Sequence, residues 1–314
     1  MTVDANSGTE DEVQARLFKH FLQHKNLAGR IFYHYCSMET FRVICETKAL
    51  RYSDINMMND VTEYAWGYRV FEDAATRLLK LDPKPSGLQG VDVPFFDDVD
   101  KVMSPMQLFL HPVMCSFSKN PDVLSQWRSY ADDGRGVAIG FTADCFAKMP
   151  VSLMNVEYDH EKQLTEMADI LAALYDVERS GGHKRGEDFD GMCKEVAMYK
   201  LAFKNPAFFE EQEVRSLHLL QVKRDEGAIT LFDPGGWLSS RENEVAGQPV
   251  KFRTRDGFIV PFVDIPFVVG KQNQPIAEVW LGPKNENADG NIMYLMNNNG
   301  FSGYQLKRSA ASYR

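Results

Sequence analysis

Hydrophobic positions along this chain recur at two periods, and the switches between them mark its elements. Val13, Leu17, Phe18, Phe21 and Leu22 fall at helical spacing and predict an amphipathic helix over 11–27, behind a polar tail over 1–9. Residues 30–36 (RIFYHYC) predict an aromatic-rich strand, and Ser37 is placed to cap a helix reaching about Thr47. A short strand follows over 50–53. Asp60 and Glu63 have capping-box spacing and open a helix to about Leu81. Residues 82–104, rich in Pro and Asp, read as a surface insertion.

Further strands are predicted over 111–118, 137–141 and 152–158. Between the first two lies a helix over 122–131 with Pro121 at its start. A short helix (142–149), a long one from His160 and another ending near Phe203 come next. The second half predicts strands over 214–220, 260–267 and 277–282, with a hairpin inside the polar stretch 223–258. A helix over 289–298 and a strand near Tyr304 close the chain. Strands interleave with helices, and neither a phosphate loop nor a dinucleotide fingerprint occurs. The fold class is therefore α+β: residues 1–29 as tail and helix, then a single compact domain over 30–314 with a mixed, mainly antiparallel sheet flanked by helices.

Charge and cysteine content narrow the function classes. The net charge of −9 disfavours nonspecific duplex binding, which needs clustered Lys and Arg, but leaves room for a local basic groove. The cysteines (Cys36, Cys45, Cys115, Cys145 and Cys193) are odd in number and form no CxxC pair, so they read as thiols in a reducing compartment. No secretory core or run of about 20 apolar residues is present, and the expected location is the cytoplasm.

The order of short segments carries a resemblance. FYHYCS, NDVTE, MCSFS, LSQWRSYADDGRGVAIGF, FKNPAFFEEQEVRS and VWLGP follow one another from about residue 30 to the C-terminus. This set resembles a bacterial family catalogued as domain of unknown function 2971. The resemblance implies no reaction; it implies a mobile-element or phage-defence setting, and with it an antitoxin or defence-system partner. Within it, the aromatic-aromatic-His-aromatic strand leading into a helix (FYHYCSMETFRVI) resembles the opening of ADP-ribosyltransferases, the DNA-targeting toxins foremost. That second resemblance implies NAD as substrate, an ADP-ribosyltransferase-like fold, a macromolecular acceptor or water, His34 seating the NAD, and Glu213 beside the anomeric carbon. Tyr130 or the segment Ser116–Ser118 would supply the aromatic or serine element between them.

The residue types fit several chemistries. A carboxylate at Glu213 can stabilise an oxocarbenium-like state, and Arg215, on the same strand face, can orient it or bind phosphate. Glu210 and Glu211 stand beside it. Trp127 and Tyr130, three apart on one helix, can form an aromatic platform or pack into the core. Ser125 near that helix's start, Tyr35 on the strand, Asn59 in its loop and Arg128 are further candidate contacts to NAD. His34 reads equally as a core histidine bonded to a carbonyl. No His or Cys spacing suggests a metal, and none is expected. Two alternatives stay open: a nuclease or phosphoesterase gathering Asp60, Glu63, Glu211 and Glu213 around a divalent ion, and a ligand-binding module without catalysis. A thiol–His pair at Cys115 reads mainly as a buried strand thiol.

Overall fold

The computed structural model describes residues 16, 19–22, 27–55, 63–108, 110–180, 182, 185–237, 244–270 and 273–313. In chain order the helices are α1 (Met38–Thr47), α2 (Glu63–Leu79), α3 (Val93–Met103), α4 (Leu124–Tyr130), α5 (Ala143–Phe146), α6 (His160–Ser180), α7 (Glu187–Tyr199) and α8 (Asp289–Asn298). The strands begin with β1 (Ile31–Cys36), β2 (Ala49–Asp54), β3 (Leu110–Ser118), β4 (Val137–Thr142) and β5 (Ser152–Asn155). They continue with β6 (Glu213–Asp225), β7 (Ala228–Phe232), β8 (Gly236–Trp237), β9 (Glu244–Val245), β10 (Lys251–Arg255), β11 (Phe258–Pro266), β12 (Ile276–Leu281) and β13 (Gln305–Arg308). The expected helix over 11–27 falls mostly outside the described residues, as do Asn59 and Asp60.

The class is α+β, as the pattern implies. Among the described residues eleven strands share one sheet, with the order β10-β11-β2-β3-β1-β4-β12-β13; β6 adds to β3, and β5 and β7 flank β6. The ladder of β12 with β13 is parallel, while β1 is antiparallel to β3 and β4, and β12 to β4. The chain clusters into two compact units. One comprises 1–21, 59–110 and 156–208, the other 22–58, 111–155 and 209–314.

The first unit is helical. The stretch read as a surface insertion carries α3 instead, because Phe95, Phe96, Val99 and Met103 lie at helical spacing and bury one face. Asp92 caps it, accepting from Phe95 N at 3.1 Å, with Pro94 in the first turn. Asp97, Asp98 and Asp100 lie among these apolar positions and give the stretch its polar appearance. Phe95 meets Tyr175 of α6 edge-on at 5.0 Å. On α6, Glu166 accepts hydrogen bonds from Lys19, from His20 at 2.6 Å and from Tyr199 at 3.0 Å.

The second unit holds the sheet, whose two faces differ. Phe32, Cys36, Tyr52, Cys115, Phe117, Ile139, Val214 and Val279 belong to one continuous apolar core. Tyr33, Tyr35 and Ala138 point the other way and pack with Trp127 and Ala131 in a smaller aromatic cluster. Just ahead of β4 and just after β12 the backbones come close: a Cβ on Gly136 would sit 2.1 Å from Cys36 O, and one on Gly282 would sit 2.3 Å from Gly134 O. On the apolar face, both ring nitrogens of His218 meet acceptors, Pro150 O at 2.8 Å and Asp233 Oδ1 at 2.7 Å.

Two outcomes are expected. Gly136→Ala should lower the unfolding free energy by about 3 kcal/mol or more, read from denaturant melts, because the added carbon meets rigid backbone rather than a side chain that can move. In the first unit, burial would raise the Glu166 carboxyl, but the bonds from His20 and Lys19 overcome this and hold it at about 2, below its ordinary 4.5. The unfolded chain therefore binds a proton that the folded chain resists, and stability is lost as pH falls from about 4.5 towards 2. Glu166→Gln should flatten that limb of the stability–pH curve.

Candidate functional site

The site candidates gather around α4. Its chain entry is set by Tyr35, whose hydroxyl accepts from Val123 N at 3.0 Å and donates to Asn120 O at 2.9 Å. This holds Val123 extended, so the helix begins at Leu124 and not at Pro121 as the sequence suggests. Trp127 is fully buried, lies 4.8 Å from the Tyr35 ring, and donates to Asp122 at 2.7 Å. The aromatic-platform reading for Trp127 gives way to the core reading.

The helix ends in a left-handed turn. Asp132, Asp133 and Gly134 have φ of 48°, 52° and 85°. Gly134 N then donates to Trp127 O, and Gly136 N to Ala131 O. The VWLGP segment closes on this turn: Gly282 N donates to Gly136 O at 3.0 Å and Lys284 N to Gly134 O at 2.9 Å. The Asp133 carboxylate accepts from Lys284 and Tyr313, and these bonds lower its pKa.

Opposite α4 lies the acidic turn that leads into β6. Gln212 adopts φ 43°, a left-handed conformation uncommon for a residue with a side chain. Its carbonyl accepts from Lys119 N at 3.1 Å. Ser125 donates to Glu210 at 3.2 Å, and Tyr130 to Glu211 at 3.0 Å. Glu210 is exposed, Glu211 partly so, and Phe209 beside them is 62% exposed. Glu213 lies behind the turn, buried and paired with the fully buried Arg215 at 3.1 Å. Arg128, on the same helix, has its guanidinium 5.7 Å from the Tyr313 ring.

Ser125, Tyr130, Glu210 and Glu211 therefore meet, and Glu213 and Arg215 pair as the strand spacing implies. His34 does not join them. Its ring lies 5.6 Å from that of Phe117, tilted by 51°, and meets Ser116 O at 3.0 Å, on the apolar face. Val214 belongs to that core, and Ser216 meets Tyr52 at 2.7 Å there. Strand alternation then puts Glu213 and Arg215 on the opposite face. Desolvation lowers the His34 pKa, against the bond to Ser116 O. Cys115 Sγ does lie 3.7 Å from His34 Nδ1, but burial pushes that thiol up and leaves it protonated. Tyr35 serves as a structural bridge. Among the described residues, no three His, Cys, Asp or Glu side chains gather as a divalent ion requires; Asn59 and Asp60 lie outside those residues.

Sequence reasoning passed over Glu278, which accepts from Tyr33 at 3.0 Å, Trp280 at 2.7 Å and Lys307 at 2.6 Å. Alternation in IAEVWL places Glu278 and Trp280 on one face and was the available signal; Tyr33 and Lys307 are too distant in sequence to be paired with them by pattern.

Tyr130→Phe should cost about 1.5–3 kcal/mol of stability, as expected for a hydrogen bond to a charged group. In a double-mutant cycle with Glu211→Gln the two losses should be non-additive; additive losses would show that the hydroxyl and the carboxylate do not interact.

No curated protein and no solved structure matches the chain. No described helix is long and apolar enough to cross a membrane. Residues 126–216, which run from within α4 to the fourth residue of β6, match the family described as a protein of unknown function (DUF2971).

Proposed function

We propose that the second unit is a ligand-binding module whose site is the acidic turn held by α4, and that its ligand presents a positive charge. The observation that carries this reading is the left-handed Gln212 between the surface carboxylates of Glu210 and Glu211 and the buried Glu213, with hydroxyls of Ser125 and Tyr130 fixing the first two. Unfavourable backbone conformations held by many bonds concentrate at ligand sites. Two carboxylates at the surface next to an exposed phenyl ring suit a cationic group with an apolar body.

NAD is the first ligand to test, since its nicotinamide ring is cationic and Arg128 stands on the same helix for its pyrophosphate. The ADP-ribosyl-transfer or NAD-cleaving reading keeps one supporting observation: Arg215 orients Glu213 from within the same strand. That chemistry would proceed without His34, which faces the other side of the sheet. The resemblance to ADP-ribosyltransferases is the sole ground for the toxin setting.

Calorimetry with NAD and with nicotinamide mononucleotide, joined to an assay for released nicotinamide, separates the readings. The binding module predicts heat of binding, at least about tenfold weaker affinity in Glu210→Gln/Glu211→Gln, unchanged affinity in His34→Ala, and no release. Release that disappears in a folded Glu213→Gln variant would establish the enzyme instead. Neither binding nor release would remove NAD from the site.

A further inference from the structure

The hairpin of β10 and β11 carries a cluster of cations unlike the rest of this acidic chain. Its turn, Asp256-Gly257, has φ of 50° and 85°, the left-handed pair that joins two strands tightly. The register is Lys251↔Phe262, Arg253↔Val260 and Arg255↔Phe258, and β11 continues onto β2 with Phe262↔Ser53 and Asp264↔Arg51. Cross-strand partners share a face. Lys251, Arg253, Arg255, Arg51, Ser53, Phe258 and Phe262 therefore lie on one face of three adjacent strands.

Asp264 serves both Arg51, at 2.8 Å, and Lys251, at 3.2 Å. Asp256 stands 3.6 Å from Arg255 and is largely exposed. Arg253 donates to Ser53 at 3.2 Å, while its Nε is buried without a hydrogen-bond partner. Burial first, then the neighbouring Arg51 and Arg255, makes the charged form of Arg253 less favourable than in water. A fixed row of guanidinium groups under mutual repulsion is relieved by a multiply charged anion. Arg51 already stacks on Phe262 at 3.9 Å, and Phe258, paired with Arg255, is 59% exposed.

We propose that this face of the β10–β11 hairpin binds single-stranded nucleic acid, the Arg51–Arg253–Arg255 row taking phosphates and Phe258 stacking on a base. Along β10 the cations Lys251, Arg253 and Arg255 recur at every second residue, a backbone repeat of about 6.8 Å, which suits a repeating phosphate chain better than a single small anion. The exposed ring beside them distinguishes this surface from a plain cationic patch, because bases stack and acidic peptides do not. The net charge of −9 is no obstacle, since the cluster is local.

Fluorescence anisotropy with a labelled oligothymidylate, on the full chain over a salt series, tests the assignment. Binding should weaken as salt rises, and Arg255→Gln should reduce the slope of log K against log salt by about 0.7, because one phosphate fewer is neutralised. Phe258→Ala should weaken binding at least about fivefold with the salt slope unchanged. Both positions sit at the exposed hairpin end, and thermal melts confirm that the variants fold. Absence of binding at low salt overturns the proposal. So does equal competition by polyglutamate together with a silent Phe258→Ala, which would make the surface a dock for acidic protein.

Discussion

The second unit rests on the close passage of backbone past backbone at Gly136 and Gly282. Each approach leaves no room for a side chain, since a β-carbon would come within about 2.1–2.3 Å of a carbonyl oxygen. Hydrogen bonds then run from the chain just after β12 to the turn after α4, and others close that turn just ahead of β4. Trp127, held under this turn and against Tyr35, cannot move without opening it. The position of α4, and with it of Ser125 and Tyr130, is thus set by glycines that carry no chemistry of their own.

Separation of the two sheet faces decides which residues can cooperate. His34, Cys115 and Phe117 share the apolar face, where desolvation keeps a thiol protonated and disfavours a charged imidazole. On the other face, aromatic rings and carboxylates meet: Tyr33 and Trp280 around Glu278, Tyr130 against Glu211. A strand's alternation makes neighbours in sequence strangers in space, so Tyr35 and His34 serve different surroundings although they are adjacent.

Much of this was legible in the sequence because the signals were local. The Ser37 cap, the alternation of β1 and the span of α8 follow from near neighbours, and so does the pairing of Glu213 with Arg215 two residues on. What escaped was set by distant partners. The start of α4 depends on the Tyr35 hydroxyl, 88 positions from Val123. The helix α3 hid behind its aspartates, although Asp92, Pro94 and the Phe95–Val99 spacing announced it. The division between His34 and Glu213 depends on how β6 joins β3, which no spacing within either strand encodes.

The boundaries of the matched segment acquire a meaning from the turn at Gly134. Residues 126–216 contain Trp127, Gly134 and Gly136, yet the chain they press against comes from Cys36 and Gly282, outside the segment on either side. Excised at those boundaries, the segment would keep its glycines and lose the walls that require them. It is a signature drawn across a larger architecture, legible as a motif but not transplantable as a module.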